Sequence, residues 1–282
     1  RYLWRGSCAP HSAQYVVQSR RKPEWSGSLT GANSSIQIRN VSLTYPDGTH
    51  AVRDVSFQIP APSFSIICGA NGQGKTSLLT LIAGLIPPTA GSVIVFGNDT
   101  VTHPKAARRH VGLVFQNPDD QIVGETVQDD VAFGPENLGL TDADLAERVE
   151  WALSLFDLTE VRAKACYSLS GGQKRRVALA GIIAMKPDVL LLDEPFSNLD
   201  LRGTRTTLEY LLTLHRRGMS VVVATHNVDP PIAYADRLIV LDSGGIVADG
   251  RPAEVAPSLS DYGVRQPSSL LYRGEIVPWL DV

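Results

Sequence analysis

The sequence predicts an α/β protein: a mainly parallel sheet covered by helices on both faces, an antiparallel β subdomain, and an inserted α-helical subdomain. Three observations carry this expectation. Short, almost continuously apolar runs (SFSIIC, VLLLD, SVVVAT, RLIVLD) alternate with helix-like stretches, as strands buried on both faces do. Ahead of them, IQIRNVSLTY and VRDVSFQI alternate apolar and polar residues around a PDG turn, which reads as a hairpin. Between VGLVF and VLLLD the strand pattern lapses and a helical period replaces it.

Residues 1–34 are rich in Ser, Arg and Gly and hold no sustained period, so a disordered tail is expected there. A membrane-touching basic arm at Arg20, Arg21 and Lys22 is the alternative. The sequence opens on Arg1 and its first methionine is Met185, so this N-terminus is not expected to be the natural start. The main domain is read over 35–256. Its hairpin leads into SFSIIC, a glycine-rich loop, and a helix over TSLLTLIAGL that ends at Gly84 and the Pro87-Pro88 pair. Strands SVIVFG and VGLVF follow. The helical subdomain spans about 117–184. One of its helices, DADLAERVEWALSLF, sets Leu145, Val149, Ala152 and Phe156 on one face behind an N-cap at Thr141 or Asp142; a second runs from Gly171 or Gly172 to Ala184, before Pro187. VLLLD, a helix over LRGTRTTLEYLLTLHRRG, SVVVAT and RLIVLD complete the domain. Residues 257–282 form a C-terminal extension with apolar Leu270, Leu271 and Ile276.

Composition narrows the function. A net charge of −3 and pI near 6.1 leave no basic excess for a phosphate backbone, so no nucleic-acid partner is expected. No apolar run reaches the length of a spanning helix, which leaves a peripheral place on a membrane open. Cys8, Cys68 and Cys166 lie far apart without ligand spacing, so they read as free thiols of a reducing compartment and not as a zinc site.

The chemistry begins at Gly69-Ala70-Asn71-Gly72-Gln73-Gly74-Lys75-Thr76, a GxxxxGK[ST] loop between a strand and a helix, followed by Ser77. Its glycines let backbone N–H groups converge on β- and γ-phosphates, and the helix turns its positive end to the same anion. Lys75 supplies a mobile charge and Thr76 a hydroxyl for Mg²⁺. This is the loop of a P-loop NTPase, with a nucleoside triphosphate and Mg²⁺ expected as its ligands. Asp193, ending VLLLD, is the carboxylate such a metal needs beside the Thr76 hydroxyl, and Glu194 next to it is the candidate base for the attacking water. His226, just past SVVVAT, reaches the same sheet edge and is expected to hold the γ-phosphate and the water in line.

A second phosphate-like stretch, YSLSGGQKRRVALAG, opens a helix at Ser170, Gly171, Gly172 and Gln173. With GANGQGKT, LSGGQ, VLLLDEP, NLD and TH in this order, residues 35 to about 255 resemble an ATP-binding cassette (ABC) ATPase. The resemblance implies the ABC ATPase fold on a RecA-like core, ATP with Mg²⁺ as the ligand and its hydrolysis, and head-to-tail pairing with a second cassette, the same chain or a paralogue. The LSGGQ of one chain then closes on ATP held by the other. It also implies that Tyr45 stacks on adenine, although a core tyrosine reads the same in sequence. It further makes Gln116 the hinge glutamine that meets Mg²⁺ and water, and places Asp200 on a loop crossing the dimer interface. Phe196-Ser197-Asn198 departs from the small residues and Thr that many members carry there.

The segment QNPDDQ followed by DDVAFGPEN (within 116–137) is similar to the ATPases of energy-coupling-factor importers and of the related cobalt and nickel uptake systems. Here Pro118 and Pro135 are read as fixing turns. Asp119, Asp120, Asp129 and Asp130 flank Ile122, Val123, Val127 and Val131 in what reads either as a docking face for a basic-tipped membrane-subunit helix or as a solvated acidic loop. The resemblance implies a peripheral place on the cytoplasmic membrane face, a polytopic scaffold subunit and a substrate-binding membrane subunit as partners, and a vitamin or transition-metal ion as cargo. The alternatives are the ATPase of a conventional importer or exporter and a soluble ATP-driven switch.

Overall fold

The computed structural model describes residues 34–280. The tail expected over 1–34, its Arg20, Arg21 and Lys22, and Cys8 lie outside the described residues, Ser34 excepted.

Strands β1 (Ser34–Thr44) and β2 (His50–Pro60) form the expected hairpin, closed by Tyr45 N–H donating to the Thr49 carbonyl at 2.9 Å. After β3 (Phe64–Cys68) and helix α1 (Lys75–Ile82) come β4 (Ala90–Val95), the short β5 (Asn98–Asp99), α2 (Pro104–Arg109) and β6 (Val111–Val114). Three helices interrupt the strands: α3 (Val127–Asn137), α4 (Asp142–Leu155) and α5 (Gly171–Ala184). The chain closes with β7 (Val189–Asp193), α6 (Leu201–Arg216), β8 (Ser220–Thr225), β9 (Arg237–Asp242), β10 (Gly245–Gly250), α7 (Pro252–Val255) and α8 (Ser268–Arg273).

Two sheets result. One has the order β2-β1-β4-β5 and is antiparallel, so SVIVFG pairs with the hairpin and not with the apolar strands. The other has the order β10-β9-β3-β8-β7-β6 and is parallel except for its edge strand β10. Alternate residues of the parallel strands face opposite ways. Phe64, Ile66, Leu190, Leu192, Val221 and Val223 join one apolar cluster with α3 to α6, while Ile67, Val189, Leu191, Val222 and Ala224 join a second one with α1 and the antiparallel sheet. Burial on both faces is why these strands read as unbroken apolar runs; each buried Val, Leu, Ile or Phe side chain contributes roughly 1.5–3 kcal/mol.

Val149 and Ala152 in α4, and Phe156 just past its end, are buried, as their spacing requires. Pro135 is a correction. It fixes no turn but lies inside α3, near its C-terminal end, where its buried ring offsets the missing N–H bond. Pro118 does open a turn, a 3₁₀ segment over Pro118–Asp120 capped by Asn117. The acidic face is also narrower than its sequence suggests. Val127 and Val131 are core residues. Asp130 is buried and accepts from the N–H groups of Val123 (2.8 Å) and Gly124 (2.9 Å), and burial raises its pKa. Asp129 caps α3 through Thr126, and Asp119 pairs with Lys174 at 2.6 Å. Asp120 and Val123 stay exposed.

The C-terminal segment folds back onto the main body. Leu259, Val264 and Leu280 are buried in the first cluster, and Leu270 and Ile276 pack against it, whereas Leu271 is exposed. Asp229 accepts from Ser268 N–H and hydroxyl at 3.0 and 2.8 Å, capping α8. Cys68 and Cys166 are free buried thiols, pushed up to about 12 and about 11 by desolvation.

Candidate active site

Register builds the site. Cys68 on β3 pairs with Thr225 on β8, and Asp193 on β7 pairs with Ala224 on β8. Three neighbouring parallel strands therefore end level, and the residues that follow them (Gly69, Glu194 and His226) share one carboxyl edge, where open α/β sheets take ligands.

The loop from Gly69 to Gly74 is shaped by its neighbours. Gly74 has φ 91°, and a Cβ there would stand 2.1 Å from the Ala51 carbonyl oxygen. No other residue type fits that position without moving the antiparallel hairpin. Asn71 and Gly72 are exposed on the loop. Lys75, only 6% exposed, donates to the carbonyls of Gly69 (2.8 Å) and Ala70 (3.0 Å), so its ammonium lies inside the loop.

Glu194 sits at the centre. Its Oε1 accepts from His226 N–H and His226 Nδ1, both at 2.9 Å, and lies 3.5 Å from Lys75 Nζ. Its Oε2 accepts from the Thr225 hydroxyl at 2.9 Å. Thr225 is a further residue of the site, and its one signal in the sequence is a hydroxyl ending an apolar strand. Glu194 also has φ 47°, a left-handed backbone that is costly for a non-glycine residue and is held by Ser197, whose N–H and hydroxyl both donate to the Glu194 carbonyl.

Asp193 and Thr76 meet. The Thr76 hydroxyl donates to Asp193 Oδ2 at 2.7 Å. Asp193 Oδ1 is buried without a hydrogen-bond partner among the described residues, and desolvation raises the pKa of this carboxyl. An orphaned buried carboxylate oxygen beside a hydroxyl suits a hard divalent cation. Among the described residues no three His, Cys, Asp or Glu side chains are placed to hold one metal ion together, so such an ion would take few protein ligands, as Mg²⁺ on phosphates does.

Tyr45 reaches this region: its hydroxyl and the Ser77 hydroxyl are 3.0 Å apart, and its ring is partly exposed. Other predicted residues stand apart from the cluster. The Gln116 side chain is exposed and makes no hydrogen bond among the described residues; its carbonyl accepts from Arg175 at 3.3 Å. Asp200 caps α6 by accepting from Gly203 N–H at 2.7 Å. Ser170 and Gln173 form a reciprocal capping box at the start of α5, Gln173 N–H to Ser170 Oγ at 3.3 Å and Ser170 N–H to Gln173 Oε1 at 3.0 Å. That accounts for Gln173 structurally. Gly171 and Gly172 are exposed, and a Cβ on either would meet nothing within 4 Å. Among the described residues, none requires glycine at these two positions.

In the sequence Arg175 is one of three consecutive cations, with nothing local to set it apart. Its neighbours in space, the Pro195 and Ser197 carbonyls, are distant in sequence, so no local pattern announced it.

A family model described as "ABC transporter" matches residues 52–197. The energy-coupling factor transporter ATP-binding protein EcfA of Carboxydothermus hydrogenoformans is 43% identical over 219 residues, 77% of this chain and 81% of that protein. The protein of the same name from Methanosarcina acetivorans is 42% identical over 254 residues, 86% of this chain and 92% of its own length. Among solved structures, cbiO1 from Clostridium perfringens, described as part of the ABC transporter complex cbiONQ, superposes with a TM-score of 0.74 at 29% identity, covering 86% of this chain and 97% of that one. The nucleotide loop, the paired acidic residues closing β7 and the second glycine motif on α5 thus fall in a chain that belongs to the ABC transporter family, with ATP-binding subunits as its relatives.

Proposed function

We propose that this chain is the ATP-hydrolysing subunit of an energy-coupling-factor-type importer, held peripherally on the cytoplasmic membrane face and working as a head-to-tail pair with a second cassette, the same chain or a paralogue. One observation carries the pairing. The Gly69–Thr76 loop is complete with its carboxylates, while the capped N-terminus at Ser170, Gly171 and Gly172 faces outward with room that its own chain does not use. A helix N-terminus with an exposed hydroxyl and no Cβ in the way suits the γ-phosphate of ATP bound to a partner.

In this reading the main domain over 35–256 carries a helical subdomain near 117–184. Lys75 and the loop N–H groups hold the β- and γ-phosphates, and Tyr45 stacks on adenine. Mg²⁺, held by Thr76 and Asp193, would neutralise charge on the phosphate oxygens. Glu194 orients the attacking water and accepts its proton, and His226 fixes the carboxylate and contacts the γ-phosphate. Gln116 joins when the helical subdomain closes, and Asp200 meets the partner across the interface. Because the γ-phosphate is the shared contact, ATP favours the closed pair and ADP releases it.

Names of the relatives support a membrane assembly. Among the described residues no helix is long and apolar enough to cross a membrane, so translocation of a vitamin or transition-metal ion falls to a polytopic scaffold and a substrate-binding membrane subunit. Asp120, Val123, Glu125, Phe133 and Glu136 are among the exposed residues of the 116–137 segment open to docking. The test is light scattering of the Glu194→Gln chain with ATP and Mg²⁺, followed by pull-down from gently solubilised native membranes. A dimer that ADP dissolves, retained with one scaffold and small varied membrane proteins, is the expected result. A strictly monomeric variant overturns the pairing; a single dedicated permease overturns the importer type.

A further inference from the structure

The three cations after Gln173 reach three different places. Lys174 Nζ pairs with Asp119 at 2.6 Å, in the turn after Gln116. Arg176 Nη1 donates to the carbonyls of Phe156 (3.2 Å) and Asp157 (3.4 Å), at the end of α4. Arg175 alone reaches the catalytic edge. Its Nη1 donates to the carbonyls of Pro195 (2.6 Å) and Ser197 (2.9 Å), and its Nη2 to the carbonyl of Gln116 (3.3 Å).

These acceptors are telling. Pro195 and Ser197 form the turn that holds Glu194 at φ 47°, and Gln116 begins the segment leading out of the sheet into the helices. Arg175 makes no ion pair among the described residues, and burial alone lowers its pKa. A half-buried cation without a counter-charge is kept here by three carbonyls on two separate segments. Only a planar fork with several N–H groups serves both at once.

Resting on the head-to-tail reading above, we infer that Arg175 is a positioning residue that couples the two nucleotide sites of the dimer. When a partner's nucleotide engages Ser170, Gly171 and Gly172, α5 shifts as a rigid rod, and Arg175, on the turn just beyond, passes that shift to its own chain's Glu194 turn and to Gln116. Each site is thereby set by the occupancy of the other, through a link that has a docked and a released state.

The test compares the full chain with R175M, R175K and R176M, reading kcat, KM and the Hill coefficient for ATP hydrolysis, ATP-driven dimerisation, and thermal unfolding. Wild type is expected to hydrolyse with a Hill coefficient above one. R175M is expected to lose about tenfold or more in kcat and fall to a Hill coefficient of one, with nucleotide affinity of the monomer within about twofold. R175K, whose single ammonium can serve the Pro195 and Ser197 carbonyls but not Gln116 as well, is expected in between, and it carries the test if R175M does not fold. R176M is the control for a purely structural cation: it lowers Tm and leaves cooperativity intact. A dimerising wild type whose R175M and R175K keep its kcat and Hill coefficient, or whose R176M matches R175M in every readout, overturns the coupling role alone. A wild type that hydrolyses ATP without ever dimerising overturns the head-to-tail reading and the coupling together.

Discussion

Glu194 Oε1 accepts two hydrogen bonds from His226, one from its backbone N–H and one from Nδ1, each at 2.9 Å. The double contact fixes the imidazole against the carboxylate, puts the ring proton on Nδ1, and leaves Nε2 as the ring nitrogen free for a ligand. The ring is 48% exposed while the Glu194 side chain is 8% exposed, so the histidine forms the outer side of the pair and the carboxylate the inner.

The first prediction follows from that division of roles. Glu194→Gln keeps an oxygen for the His226 N–H but removes the base and the charge facing Lys75. Hydrolysis should fall roughly 10²- to 10⁴-fold with ATP affinity retained, measured by phosphate release and nucleotide titration. His226→Ala should lower kcat in the same direction and leave KM nearly unchanged.

Two glycine substitutions should behave oppositely. Gly74→Ala brings a methyl to 2.1 Å from the Ala51 carbonyl at a φ of 91°. It should lower stability by about 1–3 kcal/mol or more and abolish ATP binding. Gly171→Ala meets nothing within 4 Å among the described residues of its own chain. Its Tm should stay within a degree or two of wild type, while ATP-driven dimerisation weakens, as seen by light scattering.

Removing the metal separates binding from chemistry. With EDTA, hydrolysis should cease while nucleotide still binds the Gly69–Thr76 loop. Thr76→Val should raise the Mg²⁺ concentration needed for half-maximal hydrolysis about tenfold, because Asp193 then loses the hydroxyl that donates to it at 2.7 Å.

Asp130 supplies a pH prediction. Burial raises its pKa above the ordinary 3.8, so between the two values the folded chain keeps a proton that the unfolded chain has released. Its contribution to stability is therefore fully present below 3.8 and is lost as pH rises through the raised value. Asp130→Asn keeps a carbonyl oxygen for the Val123 and Gly124 N–H groups but cannot ionise. The Tm difference between this variant and wild type should grow in favour of the variant as pH rises to 7. Asp130→Ala strands both N–H groups and should cost about 1–3 kcal/mol at low pH, a cost that shrinks as pH rises and wild-type Asp130 ionises, by thermal or urea unfolding.

The residues that carry chemistry along one stretch of chain were legible in sequence. GANGQGKTS needs only a strand before it and a helix after it, and both are local; the same holds for the helix opening at Gly171 and for the apolar period of α4. Local propensity and spacing determined these. Tertiary structure decided what meets what. The level ends of β3, β8 and β7 bring Glu194 to His226 and Lys75, and a register is a property of paired strands that no single strand encodes. It also decided that Asp130 is an interior acceptor and not a surface charge, and that Pro135 lies within a helix, since packing against α5 and the core outweighs the surface reading of an acidic, proline-bearing segment. Arg175 is the clearest case: its partners are brought together only by folding, so one cation in a run of three became the link between the second glycine motif and the catalytic turn.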